Sequence, residues 1–347
     1  MRIAKPRAAR TRPRVTVVVP HYNYGQYLPV AVGSALDQRD VDVDVIIVDD
    51  KSTDGSVEVA RRLAASDERI QLIEHAENMR HIRTYNDGLS RATGDYVVLL
   101  SADDALTKDS LTRSLSLMEA NPNVGLVYGR VEWFEDDLPS FEAGRSWWQI
   151  WSGEAWIRRL VRRGRNIIAN PEVAMRKSVY DDIGGYDPDF PHAGDMYMWL
   201  QAAARSDIGF VGGPRQAFYR NHGSNMHSVD FGGVLDDMKQ VRDVYRRFFR
   251  TDGSQVREAA KLSDRADASV SREALLRGAL LAVEGAPDST FPAFRAFARE
   301  TSHRAPRTAT WSWARWCGGD RLARRALLSV EHLRWKVRSR RTDVLGI

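Results

Sequence analysis

Short apolar runs alternate with amphipathic segments through the first half of the chain. Mainly apolar runs predict β-strands at 15–19, 43–48, 70–73, 96–100 and 125–128, the first of them ending at Pro20. Segments with helical spacing of apolar positions lie between them, at 27–36, 56–65, 82–92 and 110–120. Because continuous apolar runs suit strands that are buried on both faces, this alternation predicts an α/β fold with a doubly wound, mainly parallel sheet.

The pattern changes to helices alone beyond about residue 226. Helical spacing of apolar positions recurs at 229–249, 270–283, 291–299 and 322–337. We therefore predict a sheet domain over 15–226 and a helical C-terminal region over 227–347. The last helix has a narrow apolar stripe among several arginines, so it either lies on an anionic membrane surface or packs against the preceding helices.

Composition narrows the class of protein. The chain has 347 residues, of which 43% are hydrophobic and 28% are charged, and this excludes a disordered or collagen-like chain. No apolar run approaches the roughly 18 residues that a membrane-spanning helix needs. The single cysteine, Cys317, excludes a disulfide framework and a cysteine-based zinc site. It favours a reducing compartment, and we expect a cytoplasmic protein.

The net charge of +5 is concentrated at the two ends of the chain. Residues 1–14 hold six Lys or Arg and no acid, and residues 301–347 hold eleven against three acids. Residues 15–300 carry an excess of acids, which argues against a nucleic-acid partner. The basic ends are either solvated or in peripheral contact with an anionic membrane. Residues 1–14 lack the apolar centre of a signal peptide and are expected to form a basic, disordered tail.

Polar side chains follow three of the predicted strands at their carboxyl ends. These segments are Pro20-His21-Tyr22-Asn23, Asp49-Asp50-Lys51-Ser52 and Ser101-Ala102-Asp103-Asp104. Ligands bind at this edge of an open α/β sheet, yet the chain has neither a Gly-x-Gly-x-x-Gly turn nor a Walker lysine there. Adjacent carboxylates suit Mg²⁺ or Mn²⁺ together with phosphate, whereas helix capping is the alternative role for Asp103-Asp104.

These segments resemble motifs of the family-2 glycosyltransferases of GT-A fold. The resemblance extends over about residues 14–226 and includes further motifs downstream. The motifs that carry it are Val17 to Asn23, Val48 to Asp54, Gly94-Asp95-Tyr96, Leu100 to Asp104, Gly184 to Asp187, Gly194-Asp195 with Trp199-Leu200, and Tyr219 to His222. Each motif is weak alone, and their common order makes the resemblance specific.

The resemblance implies a nucleotide-diphospho-sugar donor, with UDP favoured, and Mn²⁺ or Mg²⁺ as cofactor. It implies single-displacement transfer with inversion to a glycan or glycolipid acceptor, in cell-envelope or surface polysaccharide assembly. The residues that it places at the donor are Pro20, Tyr22, Asp49, Asp50, Asn86, Ser101, Asp103 and Asp104. It places Asp103 and His222 at the metal and makes Asp195 the catalytic base.

Individual roles follow from the same resemblance. Tyr22 is expected to stack on the base, and Asp50 to accept a hydrogen bond from uracil N3–H. The alternative role for Asp195 is that of a helix N-cap. Chemistry supports a base at this position, because an acceptor hydroxyl has a pKa far above 7 and must lose its proton during transfer.

The sequence departs from the family pattern at several positions. Ser101 stands where many members have the first Asp of Asp-X-Asp, and Lys51 and Arg80 stand at positions that are often glycine. A cluster of tryptophans could either stack on sugar or form core; it comprises Trp147, Trp148, Trp151 and Trp156.

Two other functions stay open on sequence grounds. A nucleotidyltransferase would need a Gly-rich, basic phosphate loop after the first strand, which the segment from Pro20 to Asn23 is not. A non-catalytic nucleotide-sugar binding module would keep the fold but would release no nucleoside diphosphate from the donor.

Overall fold

The computed structural model describes residues 1–9, 11–222, 233–287 and 289–303. Its contacts divide the described residues into two units, one within 1–153 and 168–222, the other within 154–167 and 233–303. The sequence analysis assigned 154–167 to the sheet domain, whereas in the structure these residues group with the C-terminal helices.

The strands are β1 (Arg2–Ala4), β2 (Arg14–His21), β3 (Asp42–Asp49), β4 (Ile70–Glu74), β5 (Tyr96–Leu99), β6 (Ala105–Leu106), β7 (Val124–Tyr128), β8 (Val131–Phe134), β9 (Trp147–Trp151), β10 (Ala174–Arg176), β11 (Asp207–Gly212) and β12 (Ala217–Arg220). The helices are α1 (Leu28–Leu36), α2 (Ser56–Ser66), α3 (Arg80–Ser90), α4 (Ser110–Ala120), α5 (Gly153–Arg163), α6 (Lys177–Ile183), α7 (Gly194–Arg205), α8 (Val234–Arg250), α9 (Ala259–Val283) and α10 (Thr290–Thr301).

A nine-stranded sheet in the order β1-β9-β11-β7-β10-β5-β2-β3-β4 forms the centre of the first unit. The strands β4, β3, β2 and β5 are parallel, and β10 inserts antiparallel between β5 and β7. The apolar runs of these strands are almost fully buried, which explains why they do not alternate with polar residues. The predicted mainly parallel α/β fold is confirmed.

Pro20 lies inside β2 rather than ending it. The strand continues to His21, with Pro20 paired in register with Val48 and His21 with Asp49. Pairing of β2 with β5 ends at Val18. A backbone N–H at position 20 would therefore find no partner in the ladder, so the proline, which lacks this N–H, costs no hydrogen bond there. The strand therefore extends far enough to bring Tyr22 to the edge of the sheet.

Part of the N-terminal segment is ordered. Residues 2–4 form β1, an antiparallel edge strand in which Ile3 pairs with Gln149 of β9. The expectation of a disordered tail over 1–14 is wrong for these residues, because backbone hydrogen bonds to an open sheet edge do not require an apolar sequence.

A second, three-stranded sheet in the order β6-β12-β8 lies next to the predicted site in sequence. Its strand β6 follows Asp104 directly, and β12 ends two residues before His222. None of its strands exceeds four residues. It is this small sheet that brings the segment 217–222 to the acidic segment 101–104.

The second unit consists of helices. Helix α9 packs against α8 and α10, and its apolar side chains are buried together with Tyr245 and Phe248 of α8. The Tyr245 hydroxyl donates a hydrogen bond to the carbonyl of Leu160 at 2.9 Å, which ties α8 to α5. The helix predicted at 322–337 lies outside the described residues. No helix in the described part of the chain is long and apolar enough to cross a membrane.

Candidate active site

The loops that follow β2 and β3 are joined by reciprocal hydrogen bonds. The backbone N–H of Asn23 donates to Ser52 Oγ at 3.0 Å, and the backbone N–H of Thr53 donates to Asn23 Oδ1 at 2.7 Å. The Gly25 N–H adds a bond to Ser56 Oγ at 2.8 Å. These bonds hold Tyr22, which is 43% exposed, beside the end of β3. An exposed ring on a fixed backbone is suited to stack on a planar base.

Asp49 and Asp50 are both buried at the end of β3 but have different partners. Asp49 Oδ2 accepts a hydrogen bond from the Ser52 N–H at 3.1 Å, and its Oδ1 lies 3.3 Å from His21 Nε2 without forming a hydrogen bond. Burial lowers the pKa of His21, against the opposing effect of Asp49. Asp49 therefore shapes the loop, whereas the main chain of Asp50 lies beside that of Tyr22, since the Asp50 N–H donates to the carbonyl of His21, the residue before Tyr22.

Asp50 belongs to a chain of three titratable side chains. Its Oδ1 lies 2.9 Å from Nδ1 of His75 and accepts a hydrogen bond from the Met79 N–H at 2.7 Å. On the other side of the ring, His75 Nε2 lies 3.1 Å from Asp87 Oδ2. Sequence reasoning missed His75 and Asp87, because no motif spacing connects either of them to Asp50.

Asp103 and His222 lie at the centre of the site. The Nε2 atom of His222 is 3.0 Å from Asp103 Oδ2, and both side chains are largely buried. The imidazole stacks on the Tyr27 ring with centroids 5.5 Å apart. Burial raises the pKa of Asp103, partly offset by its contact with His222.

The donor atoms of Asp103 and His222 fit a divalent cation. Two ligands at right angles on Mg²⁺, with bonds of about 2.1 Å, lie about 3 Å apart, which matches the observed separation of these two atoms. The protein supplies two ligands here; within the described ranges no group of three or more His, Cys, Asp or Glu could hold a metal ion. Such an ion would therefore keep open coordination positions for phosphate oxygens and water, as Mg²⁺ commonly does.

Asp104 bonds to the main chain, whereas the neighbouring Asp103 contacts His222. Its Oδ1 accepts a hydrogen bond from the Arg220 N–H at 2.9 Å, which anchors β12. Burial and the nearby charge of Asp103 raise the pKa of Asp104 well above its ordinary value. The Arg220 guanidinium is buried as well and bonds to the carbonyls of Asp103, Glu135 and Asp136. Asp104 thus positions β12, and its contact with the donor stays a prediction.

The side chains of Ser101 and Asn86 also differ in their hydrogen bonds. The Ser101 hydroxyl makes no hydrogen bond with the described residues, which leaves it available to a ligand. Both polar atoms of the Asn86 amide pair with the main chain of Tyr186, at 2.8 Å and 2.7 Å. Asn86 was predicted to bind the donor, but in the structure its amide holds the loop before α7 in place.

Asp195 is the second residue of α7, and Ala193 occupies the N-cap position. The alternative role as an N-cap is therefore not supported by its place in the helix. The Tyr186 hydroxyl hydrogen-bonds to the Asp195 carboxylate, and Tyr85 packs edge-on against Tyr186 with ring centroids 5.7 Å apart. Burial, and then the Asp195 charge, raise the pKa of both tyrosines, so each stays protonated and can donate.

Glu172 and Trp133 are two further residues of this region. Burial raises the pKa of Glu172 to about 8, and its Oε2 has no hydrogen-bond partner among the described residues. Trp133 is 60% exposed and packs on Tyr219 with ring centroids 4.3 Å apart. Of the four clustered tryptophans, Trp148, Trp151 and Trp156 are buried, so for these three the core interpretation is confirmed.

Comparisons with known proteins find a family model and several relatives that match part of the chain. Residues 16–184 match the family model described as glycosyl transferase family 2. An uncharacterized glycosyltransferase of Haemophilus influenzae is 26% identical over 227 residues, which are 62% of this chain and 68% of the relative. TuaG of Bacillus subtilis, named for teichuronic acid biosynthesis, is 39% identical over 107 residues, but these cover only 31% of this chain and 42% of TuaG.

Solved structures share the fold at low sequence identity. Staphylococcus aureus TarS in complex with UDP-GlcNAc has a TM-score of 0.63 at 14% identity, covering 91% of this chain and 92% of that one. A mannosyltransferase of Pyrobaculum calidifontis in complex with GDP-Man and Mn²⁺ has a TM-score of 0.51 at 17% identity, covering 92% and 88%. These likenesses confirm the GT-A fold.

Proposed function

We propose that this chain, whose residues 16–184 match the model of glycosyl transferase family 2 and whose fold is GT-A, is an inverting, metal-dependent glycosyltransferase. The donor is a nucleotide-diphospho-sugar, with UDP favoured, and the acceptor is a hydroxyl of a glycan or glycolipid in cell-envelope polysaccharide assembly. The observation that carries the proposal is the placement of Asp103 and His222, 3.0 Å apart, at the strand edge that also holds Tyr22 and Asp50.

The nucleotide half of the site lies at the ends of β2 and β3. Tyr22 offers an exposed ring for the base, and Asp50 offers a fixed carboxylate oxygen for a base N–H. Asp103 and His222 would hold Mn²⁺ or Mg²⁺, which as a Lewis acid stabilises the negative charge that develops on the departing diphosphate. The Ser101 hydroxyl replaces a carboxylate in this region and can donate to the donor.

Asp195 accepts the proton of the acceptor hydroxyl in this proposal. As the acceptor oxygen forms its bond to the sugar C1, the bond from C1 to the diphosphate oxygen breaks, and the configuration at C1 inverts. The carboxylate accepts a hydrogen bond from the Tyr186 hydroxyl, and such a bond orients a base. A side chain in the first turn of α7 also lies where the helix dipole stabilises its negative charge.

Support for a carbohydrate acceptor comes from Trp133. Side chains alternate along β8 and β12, and Val131 and Ala217 on one face pack into the main core. Trp133 and Tyr219 continue that face, and the charges of Asp103, Asp104 and Asp195 act on Tyr219. An exposed indole that packs on Tyr219 gives the apolar face of a pyranose a surface to pack on.

Release of nucleoside diphosphate tests this function without knowledge of the acceptor. The purified chain is incubated with UDP-GlcNAc, UDP-glucose or GDP-mannose, with Mn²⁺, Mg²⁺ or EDTA, and free nucleotide is measured. We expect slow, metal-dependent release from at least one UDP-sugar, with loss of release in Asp103→Asn. A folded chain that binds the nucleotides but releases none would instead support the non-catalytic binding module.

A further inference from the structure

The chain Asp50–His75–Asp87 connects the nucleotide end of the sheet to α3. Asp50 ends the β3 segment, His75 follows β4 directly, and Asp87 lies on α3. The two ring nitrogens of His75 lie 2.9 Å and 3.1 Å from carboxylate oxygens of Asp50 and Asp87. The His75 side chain is only 6% exposed, so water competes little for these contacts.

Both contacts of His75 require a proton on the nitrogen. A carboxylate oxygen is an acceptor only, and a neutral imidazole carries a single N–H, so a neutral ring could satisfy one carboxylate and would repel the other. Burial by itself lowers the pKa of His75, but the hydrogen bonds to Asp50 and Asp87 outweigh it and raise that pKa above its ordinary value. Simultaneous hydrogen bonds to both carboxylates therefore require the imidazolium form of the ring.

Other charged groups around His75 leave this arrangement intact. Asp87 is shared with Arg91 on the same helix, at 3.1 Å and 3.3 Å. Glu74, the preceding residue, is bound by Arg61 of α2 on the protein surface. Among the described ion pairs, no cation other than His75 and Arg91 contacts Asp50 or Asp87.

The contacts of Asp50 leave one of its oxygens for a ligand. Oδ1 receives both the His75 Nδ1–H and the Met79 N–H, whereas Oδ2 accepts no hydrogen bond from the described residues. Two donors on one oxygen fix the plane of the carboxylate. Oδ2 thus has a fixed direction at the strand edge, one residue along the hydrogen-bonded ladder from Tyr22.

We propose that His75 is a positioning residue that holds Asp50 Oδ2 as an acceptor for a nucleobase with a ring N–H, and so selects such bases over cytosine. This proposal rests on the proposed function and names the nucleotide class of its donor. Uracil presents N3–H to a carboxylate, while cytosine has a lone pair at the same position and is otherwise of nearly the same size. Leaving a charged acceptor facing a lone pair is costly, because neither group is then hydrogen-bonded.

The test compares binding of UDP and CDP by isothermal titration calorimetry with Mg²⁺ present. The variants are His75→Gln and Asp87→Asn, with the exposed His303→Gln in the second unit as control. We expect the wild type and the control to prefer UDP by about 10- to 100-fold, as for a hydrogen bond to a charged group. In His75→Gln the UDP affinity falls and the CDP affinity hardly changes, so the preference drops about tenfold.

The pH profile separates positioning from general structural support. Asp87→Asn keeps the bond between His75 and Asp50 but lowers the pKa of the imidazole, because one of the two stabilising carboxylates is gone. Between pH 6 and 8 its preference for UDP should therefore begin to fall at a lower pH than the preference of the wild type does. This variant also decides the question if His75→Gln does not fold.

The failures of the two proposals differ. A wild type that binds neither nucleotide with Mg²⁺ overturns both the function and the role of His75. A wild type that binds UDP and CDP equally, or variants that are folded and keep the wild-type preference at every pH, overturn the role of His75 alone.

Discussion

The Nε2 atom of His222 lies 3.0 Å from Oδ2 of Asp103, although 119 residues separate them in the chain. The short sheet β6-β12-β8 makes this meeting possible, because Asp104 anchors the main chain of Arg220. In the proposed mechanism the pair holds the metal ion.

Loss of either member of this pair should weaken metal-dependent nucleotide binding. We expect Asp103→Asn and His222→Gln to lower the Mn²⁺-dependent affinity for UDP by about 10- to 100-fold, since each removes a ligand with its charge or lone pair. Titration of UDP with Mn²⁺ and with EDTA measures the effect. The exposed Asp137→Asn serves as control, and an unchanged metal-dependent affinity in both variants would refute the metal assignment.

Lys51 and Arg80 occupy backbone conformations that favour glycine. Their φ angles are +66° and +64°, at the two positions where the family pattern often has glycine. Lys51→Gly and Arg80→Gly should each raise the free energy of unfolding by about 1 kcal/mol, because a side chain is strained in this region. Urea denaturation measures the change. Arg83→Gly, in the regular part of α3, should lower the free energy of unfolding by a similar amount.

A lower free energy of unfolding in Lys51→Gly or Arg80→Gly would contradict this prediction. It would mean that the Lys51 or Arg80 side chain contributes more to folding than its backbone strain costs. Both side chains are exposed, and neither forms an ion pair with the described residues.

Glu172 should make stability depend on pH. Its pKa is about 8 in the folded chain and near 4.5 when unfolded, so the folded state keeps a proton that the unfolded state releases between these values. The free energy of unfolding therefore falls as the pH rises from about 4.5 to 8, by on the order of a few kcal/mol. Urea denaturation of Glu172→Gln across this range should show a flatter dependence, while the exposed Glu142→Gln should follow the wild type.

Trp133 should act on the acceptor and not on the donor. With the acceptor that the enzyme glycosylates fastest in a panel, Trp133→Ala should raise the acceptor KM on the order of tenfold. The acceptor KM of Trp133→Phe should lie between those of the wild type and Trp133→Ala, and the rate of donor hydrolysis should stay unchanged in both variants. Leu138→Ala, an exposed apolar residue on the following loop, is the control. Equal acceptor KM values for the wild type and Trp133→Ala would exclude this surface from the acceptor site.

The parts of the fold that could be predicted are those with a local signal. Strand β3 was predicted at 43–48 and spans 42–49, and α4 has the predicted bounds 110–120, because buried strands and amphipathic helices carry their own apolar pattern. Strands β6, β8 and β12 were missed, since two to four residues are too few to show a period. Their pairing depends on partners far along the chain.

The same reasoning applies to the candidate site. Motif order identified the strand-end residues and brought Asp103 and His222 together as expected, but it could not distinguish the settings of adjacent acids. Asp49 and Asp104 each accept a hydrogen bond from a backbone N–H, whereas Asp50 contacts His75 as well as a backbone N–H, and Asp103 contacts His222. These partners depend on loop conformation. His75 was missed because its partners lie 25 and 12 residues away and form no motif with it.

The stereochemistry of donor hydrolysis tests the central claim most directly. Proton NMR follows an α-linked UDP-sugar with Mg²⁺ and the purified chain, water serving as acceptor, before the released sugar mutarotates. The account predicts UDP and the β-anomer as first products. It also predicts that Asp195→Asn keeps UDP affinity and melting temperature but hydrolyses the donor about 10²- to 10⁴-fold more slowly, as expected for the loss of a general base. Release of the α-anomer first, or a rate for Asp195→Asn within a few-fold of the wild type, would contradict it.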